Sequence, residues 1–292
     1  MEVFYINHIS DLPKLETNSC AIGNFDGLHQ GHRKLIENSF VAGYKRLVIT
    51  FEKLDNKNGY LTKTNQRIKL IEDLGVDYLV ILPFRIIKNV FFNEFIKILK
   101  LLKVKFISCG IDFRFGFKRE GDIFDLKRNF KINVLDDYLV DGVRISTSLI
   151  KEFIQEGLVE KANELLTTPY TIIGEVIHGN KIGRKLGFAT ANIDYDEYIL
   201  PKNGVYFTIT TVRGNKYLSM CNIGYNPTLN QQNSKRLEVH ILDFDEDIYG
   251  EEIEVSFIKY LREEKQFENK EELINSLEET INICRNYEYM IK

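Results

Sequence analysis

Residues 22–36 read IGNFDGLHQGHRKLI. The stretch leaves a β-rich run, NSCAIG, turns through glycines at 23, 27 and 31, and enters a segment with helical spacing. Strand, glycine turn and helix make the opening of a βαβ unit, and the flanking sequence repeats that pattern. KRLVITF, DYLVILPF and VKFISCG alternate with HRKLIENSFVAGY, NQRIKLIEDLG and FNEFIKILKLL. Such alternation predicts an α/β domain with a doubly wound parallel sheet. Ligands of these sheets sit beyond the carboxyl ends of the strands. GNFDGLHQGH follows the first of the four runs and GIDFRFG follows the fourth, so both fall on that edge.

Two histidines separated by Gln30 and Gly31 admit three readings: metal ligands, core residues or phosphate ligands. A zinc site needs a third ligand at a usable spacing, and only His8, His178 and His240 remain, in no recognisable set. The phosphate reading fits better. Gly23, Gly27 and Gly31 let backbone amides approach a ligand, and a helix starting near 31–33 points its unpaired N–H groups and dipole at an anion. His29 and His32 would then hydrogen-bond the oxygens of a reacting phosphorus, stabilising charge that grows in the transition state.

Further along, STSLIKEFIQEGLVEKANELL (146–166) reads as two helices divided at Gly157, with Ser146 or Thr147 as cap. A DNA-reading helix-turn-helix is the competing interpretation, but Glu152, Glu156, Glu160 and Glu164 would repel phosphate. After TTPYTIIGEV the runs become β-rich: GVYFTITTV, KYLSMCNIG, RLEVHILDF and EEIEVSFIKYL, punctuated by RGN, YNPT and DEDIYG. Regular short strands between turn signals predict a small antiparallel β-barrel, and residues 268–287 have the spacing of a closing helix. The expected domains are therefore 1–167 and 168–292.

Composition narrows the function classes. The chain has 292 residues, 44% hydrophobic and 28% charged, with a formal charge of −3. That balance suits a folded globular protein and gives no general attraction to nucleic acid or membrane. Basic residues slightly outnumber acidic ones up to residue 167, and the reverse holds beyond it. Neither a secretory signal nor an apolar run of about 20 residues is visible. Cys20, Cys109, Cys221 and Cys284 are scattered without a C-x-x-C pair, as expected of reduced thiols in a cytoplasmic protein.

G-x-F-D-G-x-H-x-G-H, GIDFRFGFKREGD (110–122) and ISTSLIK (145–151) occur in order, with LTKTNQRIKLIEDLGVDYLVILPF between the first two. In these motifs the first half resembles the FMN adenylyltransferase module of the bacterial bifunctional riboflavin kinase/FAD synthetases. The resemblance implies an HxGH nucleotidyltransferase domain in which His29 and His32 hold the ATP phosphates and Asn24 and Asp26 shape the turn, beside Gly23 and Gly31. Asp112, Arg114 and Arg119 would belong to the nucleotide and flavin-phosphate surface, as would Ser146, Thr147, Ser148 and Lys151. Read alone, Arg114 and Arg119 are either solvated loop charges or phosphate ligands, and two neighbouring glycines favour the second. Two departures stand out. Lys151 replaces the family's arginine, exchanging a bidentate fork for a point charge, and TFEKLD (50–55) stands where the family has T-F-x-P-H-P.

In the second half, GEVIHGNKIGRKLGFATAN (174–192) is rich in glycine and basic residues. Gly179, Gly183 and Gly187 are either ordinary turn residues or, with Lys181 and Arg184, parts of an anion-receiving loop. Thr190 and Asn192 offer two neutral oxygens on one face of an extended strand, a donor type suited to Mg²⁺ carrying nucleotide phosphates. Glu238, in the alternating run RLEVHIL, is either a surface carboxylate or an acceptor for the proton of a primary alcohol. With LPKNGVYF, NIGYNPT, EVHILDFDEDIYG and FIKYLREEKQF, this half resembles the riboflavin kinase module. That resemblance implies Thr190 and Asn192 on Mg²⁺-ATP, the glycine loop over the phosphates, Glu238 as base for the ribityl 5′-hydroxyl, and Arg262 beside the flavin. Ala189 replaces the proline of the family's P-T-A-N, which frees φ there. The implied whole is an enzyme converting riboflavin to FMN and FMN to FAD with ATP. The departures leave a second reading, a riboflavin kinase whose N-terminal domain binds nucleotide with little or no catalysis.

Overall fold

A computed structural model describes residues 1–52, 59–178, 188–225, 235–265, 267 and 269–290. The chain forms two compact units, Met1–Thr147 and Ser148–Lys292.

The first unit is built on a six-stranded parallel sheet. Its strands are β1 (Glu2–Tyr5), β2 (Asn18–Ile22), β3 (Lys45–Glu52), β4 (Tyr78–Pro83), β5 (Val104–Gly110) and β6 (Lys131–Leu135), in the order β1-β4-β3-β2-β5-β6. Helices α1 (Gln30–Glu37), α2 (Thr64–Glu72), α3 (Phe84–Ile87), α4 (Phe92–Leu101) and α5 (Ile123–Lys127) link them, and a small hairpin of β7 (Leu139–Val140) and β8 (Val143–Arg144) follows. The four strands marked by the apolar runs are present, flanked by β1 and β6, whose half-exposed residues give a weaker pattern.

Alternation along each central strand feeds two cores. Cys20, Ile22, Leu47, Ile49, Val80 and Leu82 face one way with Leu99 of α4 and Leu126 of α5. Ala21, Val48, Leu79 and Ile81 face the other, with Ile36 of α1 and Ile71 of α2. Both faces of the sheet are covered, which is why its strands read as unbroken apolar runs. From β2 the chain winds through β3 to β4 on one side, and β5 then starts the other side directly against β2. The order therefore reverses between β2 and β5, the place where open α/β sheets form a crevice.

The second unit begins with the two helices read from the sequence, α6 (Thr147–Gln155) and α7 (Val159–Leu165), parted by Gly157 at φ +82°. They join the second unit rather than the first: α7 packs on β14, and the Asn163 side chain donates to the Phe257 carbonyl there, 2.8 Å away. The compact units thus divide earlier than the 167/168 expectation. β9 (Thr171–Ile177), β10 (Ala191–Asp194), β11 (Gly204–Val212), β12 (Asn215–Tyr225), β13 (Lys235–Ile241) and β14 (Glu252–Arg262) form a closed antiparallel barrel, β10-β13-β12-β11-β14-β9, which β9 closes by pairing with β10. Closure leaves no bare sheet edge.

Inside the barrel, Ser219 bridges Thr208 and Thr210 at 2.8 and 2.7 Å, so these buried hydroxyls satisfy one another. Outside it, Phe207, Ile209, Leu218 and Met220 pack against Leu277, Ile281 and Cys284 of α8 (Lys270–Arg285). Asn269 caps that helix, accepting the Glu272 amide at 2.9 Å.

Candidate functional site

The β2–α1 turn is held from beneath. Asp26 Oδ1 accepts the amides of Leu61 and Thr62, each at 3.0 Å, and Thr62 Oγ1 accepts the Gly27 amide at 2.9 Å. Arg67 of α2, only 3% exposed, donates from one guanidinium nitrogen to the Asn24 carbonyl and side-chain oxygen and from another to the Phe51 carbonyl. These bonds fix a backbone with left-handed conformations at Phe25, Gly27 and Leu28. A Cβ at Gly23 would meet the Phe25 ring at 2.9 Å, and one at Gly31 would lie 3.2 Å from the His29 ring. Gly23 is a space requirement of the turn, and Gly31 is a tighter fit than an ordinary contact.

On this support sit the two histidines. His29 is the N-cap of α1, and its Nδ1 accepts the His32 amide at 3.2 Å. The rings stack with centroids 3.6 Å apart. Burial lowers the His29 pKa to about 4. Burial, His29 and Arg67 together push His32 well below the ordinary value. Both rings are thus neutral at pH 7. With Nδ1 accepting, the His29 proton resides on Nε2, which makes that atom a donor.

The remaining first-unit candidates are placed as follows. GIDFRFG leaves β5, the strand beside β2, at the same sheet edge as the histidine turn. Asp112 pairs with Arg144 at 2.7 Å, and Arg114 with Asp122 at 3.0 Å, so each already has a partner. Exposed Arg119 makes no ion pair with a described residue. Thr147 Oγ1 donates to the Asp26 carbonyl at 3.5 Å, bringing Ser146 and Thr147 to the turn. Ser148 and Lys151 follow on α6 in the second unit.

In the barrel, Asn192 of β10 and Asn222 of β12 are both register partners of Glu238 on β13. The three form one cross-strand row on the outer face, since Leu237, Val239 and Ile241 are buried. Thr190 precedes β10 beside His240. Thr190 and His240 line two cavities. One, of about 350 Å³, is bounded by Val176, Val239 and residues 244–249. The other, of about 210 Å³, is bounded by Glu238, Asn222, Arg262, Glu264, Phe267 and Leu277 among others. Burial lowers the Arg262 pKa, and Glu279 opposes that shift. Gly179, Lys181, Gly183, Arg184 and Gly187 lie outside the described residues, as do residues 53–55 of TFEKLD.

The riboflavin kinase family model matches residues 166–288, and the FAD synthetase model matches residues 12–149. A bifunctional riboflavin kinase/FMN adenylyltransferase of Buchnera aphidicola from Schizaphis graminum is 37% identical, covering 97% of this chain and 98% of its own. The proteins of the same name from Listeria monocytogenes and Escherichia coli K12 are each 35% identical, over 95% and 92% of this chain and 95% and 91% of their own. This chain belongs to the bifunctional riboflavin kinase/FMN adenylyltransferase family. It is a two-activity enzyme, with an FAD synthetase half before a riboflavin kinase half. In three dimensions it matches a crystal structure from Streptococcus pneumoniae described as a macrolide-efflux protein, with TM-score 0.88, 28% identity and coverage of 98% of this chain and 99% of that one. Among the described residues no helix is long and apolar enough to cross a membrane.

Arg67, Thr62, Asn222, Glu264 and His240 were not singled out from the sequence. Arg67 lies inside an ordinary amphipathic pattern, NQRIKLIE, and its only mark is a charge at a position the helix buries. Asn222 acquires meaning through the β12–β13 register alone. All four cysteines are free and buried, and burial raises their thiol pKa values, so they are poor nucleophiles.

Proposed function

We propose that the outer face of the barrel, between its two cavities, transfers the γ-phosphoryl group of ATP to riboflavin, and that the β2–α1 turn transfers an adenylyl group from ATP to the resulting FMN. The observation that carries the first assignment is the row Asn192–Glu238–Asn222, set beside a Thr190–His240 wall common to both cavities. The cavity of about 350 Å³ takes the nucleotide and the one of about 210 Å³, with Phe267, Leu273 and Leu277, takes the flavin.

Glu238 accepts the proton of the ribityl 5′-hydroxyl as its oxygen bonds to the γ-phosphorus and the β–γ bridge breaks, giving FMN and ADP. Arg236, 3.6 Å from the Glu238 carboxylate, helps orient it. Thr190 and Asn192 suit Mg²⁺: both are neutral oxygen donors, and neither side chain hydrogen-bonds another described residue. When bound there, the ion neutralises triphosphate charge.

In the first unit, the Nε2–H of neutral His29, the His32 ring and the head of α1 hydrogen-bond the triphosphate. A phosphate oxygen of FMN bonds to the α-phosphorus, the α–β bridge breaks, and pyrophosphate leaves. His29 and the α1 amides stabilise the charge that develops, with no covalent enzyme intermediate. Arg119, which makes no ion pair with a described residue, offers its guanidinium to a phosphate, while Asp112 and Arg114 reach substrate by exchanging their present partners.

Product chromatography after incubation with riboflavin, ATP and Mg²⁺ tests the kinase, and absence of FMN ends that assignment. Supplying FMN with ATP and following pyrophosphate tests the first unit separately. Pyrophosphate release without FAD would show a nucleotide site that does not adenylylate FMN.

A further inference from the structure

His240 Nδ1 lies 2.7 Å from the Ala189 carbonyl oxygen. A carbonyl only accepts, so Nδ1 carries the proton whatever the charge of the ring. The bond lies just outside the β10–β13 ladder, whose register covers Ala191–Val239 and Asn192–Glu238. Thr190 therefore sits between a paired strand on one side and a side-chain tether on the other. Phe188 meets the His240 ring edge-on with centroids 5.7 Å apart, holding the ring against this segment. Ala189 lacks the φ restraint a proline would impose, so its backbone is held from across the ladder.

We propose that His240 is a positioning residue of the kinase site. By holding the Ala189 carbonyl it sets the backbone on which Thr190 faces the metal-bound triphosphate, an inference that rests on the role of Thr190 given above. Without the tether, Thr190 occupies its binding geometry for a smaller fraction of the time. Apparent nucleotide affinity falls by that fraction, and saturation restores turnover.

His240→Phe keeps an aromatic ring and removes the donor, whereas His240→Asn returns an N–H close to the Nδ1 position. In FMN formation, His240→Phe should raise KM for MgATP about fivefold, the worth of one hydrogen bond, with kcat within about twofold of wild type. His240→Asn should recover most of that loss. Amide exchange in the peptide 188–194, measured without nucleotide, should quicken in the Phe variant and return towards wild type in the Asn variant. Adenylylation of supplied FMN should be unchanged in both, which reports an intact fold. Unmoved KM and exchange in the Phe variant, an Asn variant as impaired as the Phe variant, or a fall in kcat with KM unmoved would each overturn the proposal. Thr190→Val separates this inference from its premise. A raised KM there with none in His240→Phe rejects the tether alone, and no change in either removes the role of Thr190 as well.

Discussion

At the head of α1, the Nδ1 of His29 already accepts the His32 amide, and protonating that atom would break the cap. Burial holds this pKa at about 4, below the ordinary histidine value. Between about pH 6.5 and 4 the unfolded chain binds more protons than the folded one, so stability is complete above that window and falls as pH drops through it, by roughly 3 kcal/mol at most for this residue. Urea midpoints taken from about pH 7.5 to 5 should decline more steeply in wild type than in His29→Gln; parallel curves would mean the ring is not held neutral. Asp26 makes a different prediction, because its oxygen serves the Leu61 and Thr62 amides rather than substrate. Asp26→Ala leaves both amides without that acceptor and should cost about 2–4 kcal/mol, while Asp26→Asn, which keeps a carbonyl oxygen, should cost clearly less in the same denaturation experiment.

At the scale of elements, the barrel closes where β9 crosses β10, and Gly174 is what permits the approach. A Cβ there would overlap the Asp194 carbonyl oxygen and the Ile193 side chain, and neither strand has room to retreat without giving up its ladder. Gly174→Ala should therefore lower the melting temperature sharply and abolish FMN formation. Gly224 on β12 is a useful contrast. The atoms nearest a Cβ at that position would be those of the Glu264 carboxylate, the far end of an exposed side chain that also accepts from Asn222 at 3.2 Å. Gly224→Ala should leave stability within about 0.5 kcal/mol of wild type and instead raise KM for riboflavin, because Glu264 is displaced from the cavity wall. Equal damage from the two alanines in calorimetry would show that Glu264 is structurally fixed.

For the whole molecule, each unit contains its own core and its own proposed phosphate site, so the activities should separate by mutation. His29→Ala should cut FAD formation about 10²-fold and spare FMN formation, whereas Glu238→Gln should do the opposite when FMN is supplied. Loss of both products in either variant would show coupled sites. The sheet, the barrel and the closing helix were legible in the chain because burial on one or both faces imposes a period on hydrophobic residues, and turns require glycine at fixed places. The candidates Gly23, Gly31, His29, His32, Thr190, Asn192 and Glu238 could be named from the chain for a related reason: they lie in short contiguous motifs. The sequence by itself thus determined the element types and the order of the two activities, and it nominated candidate site residues within single turns and strands. Only tertiary structure decided that α6 and α7 pack with the barrel, that Arg67 underlies the histidine turn, and that His240 reaches the residue before Thr190. Those relations join positions far apart in the chain, and they arise from helix docking and strand register, which no local periodicity encodes.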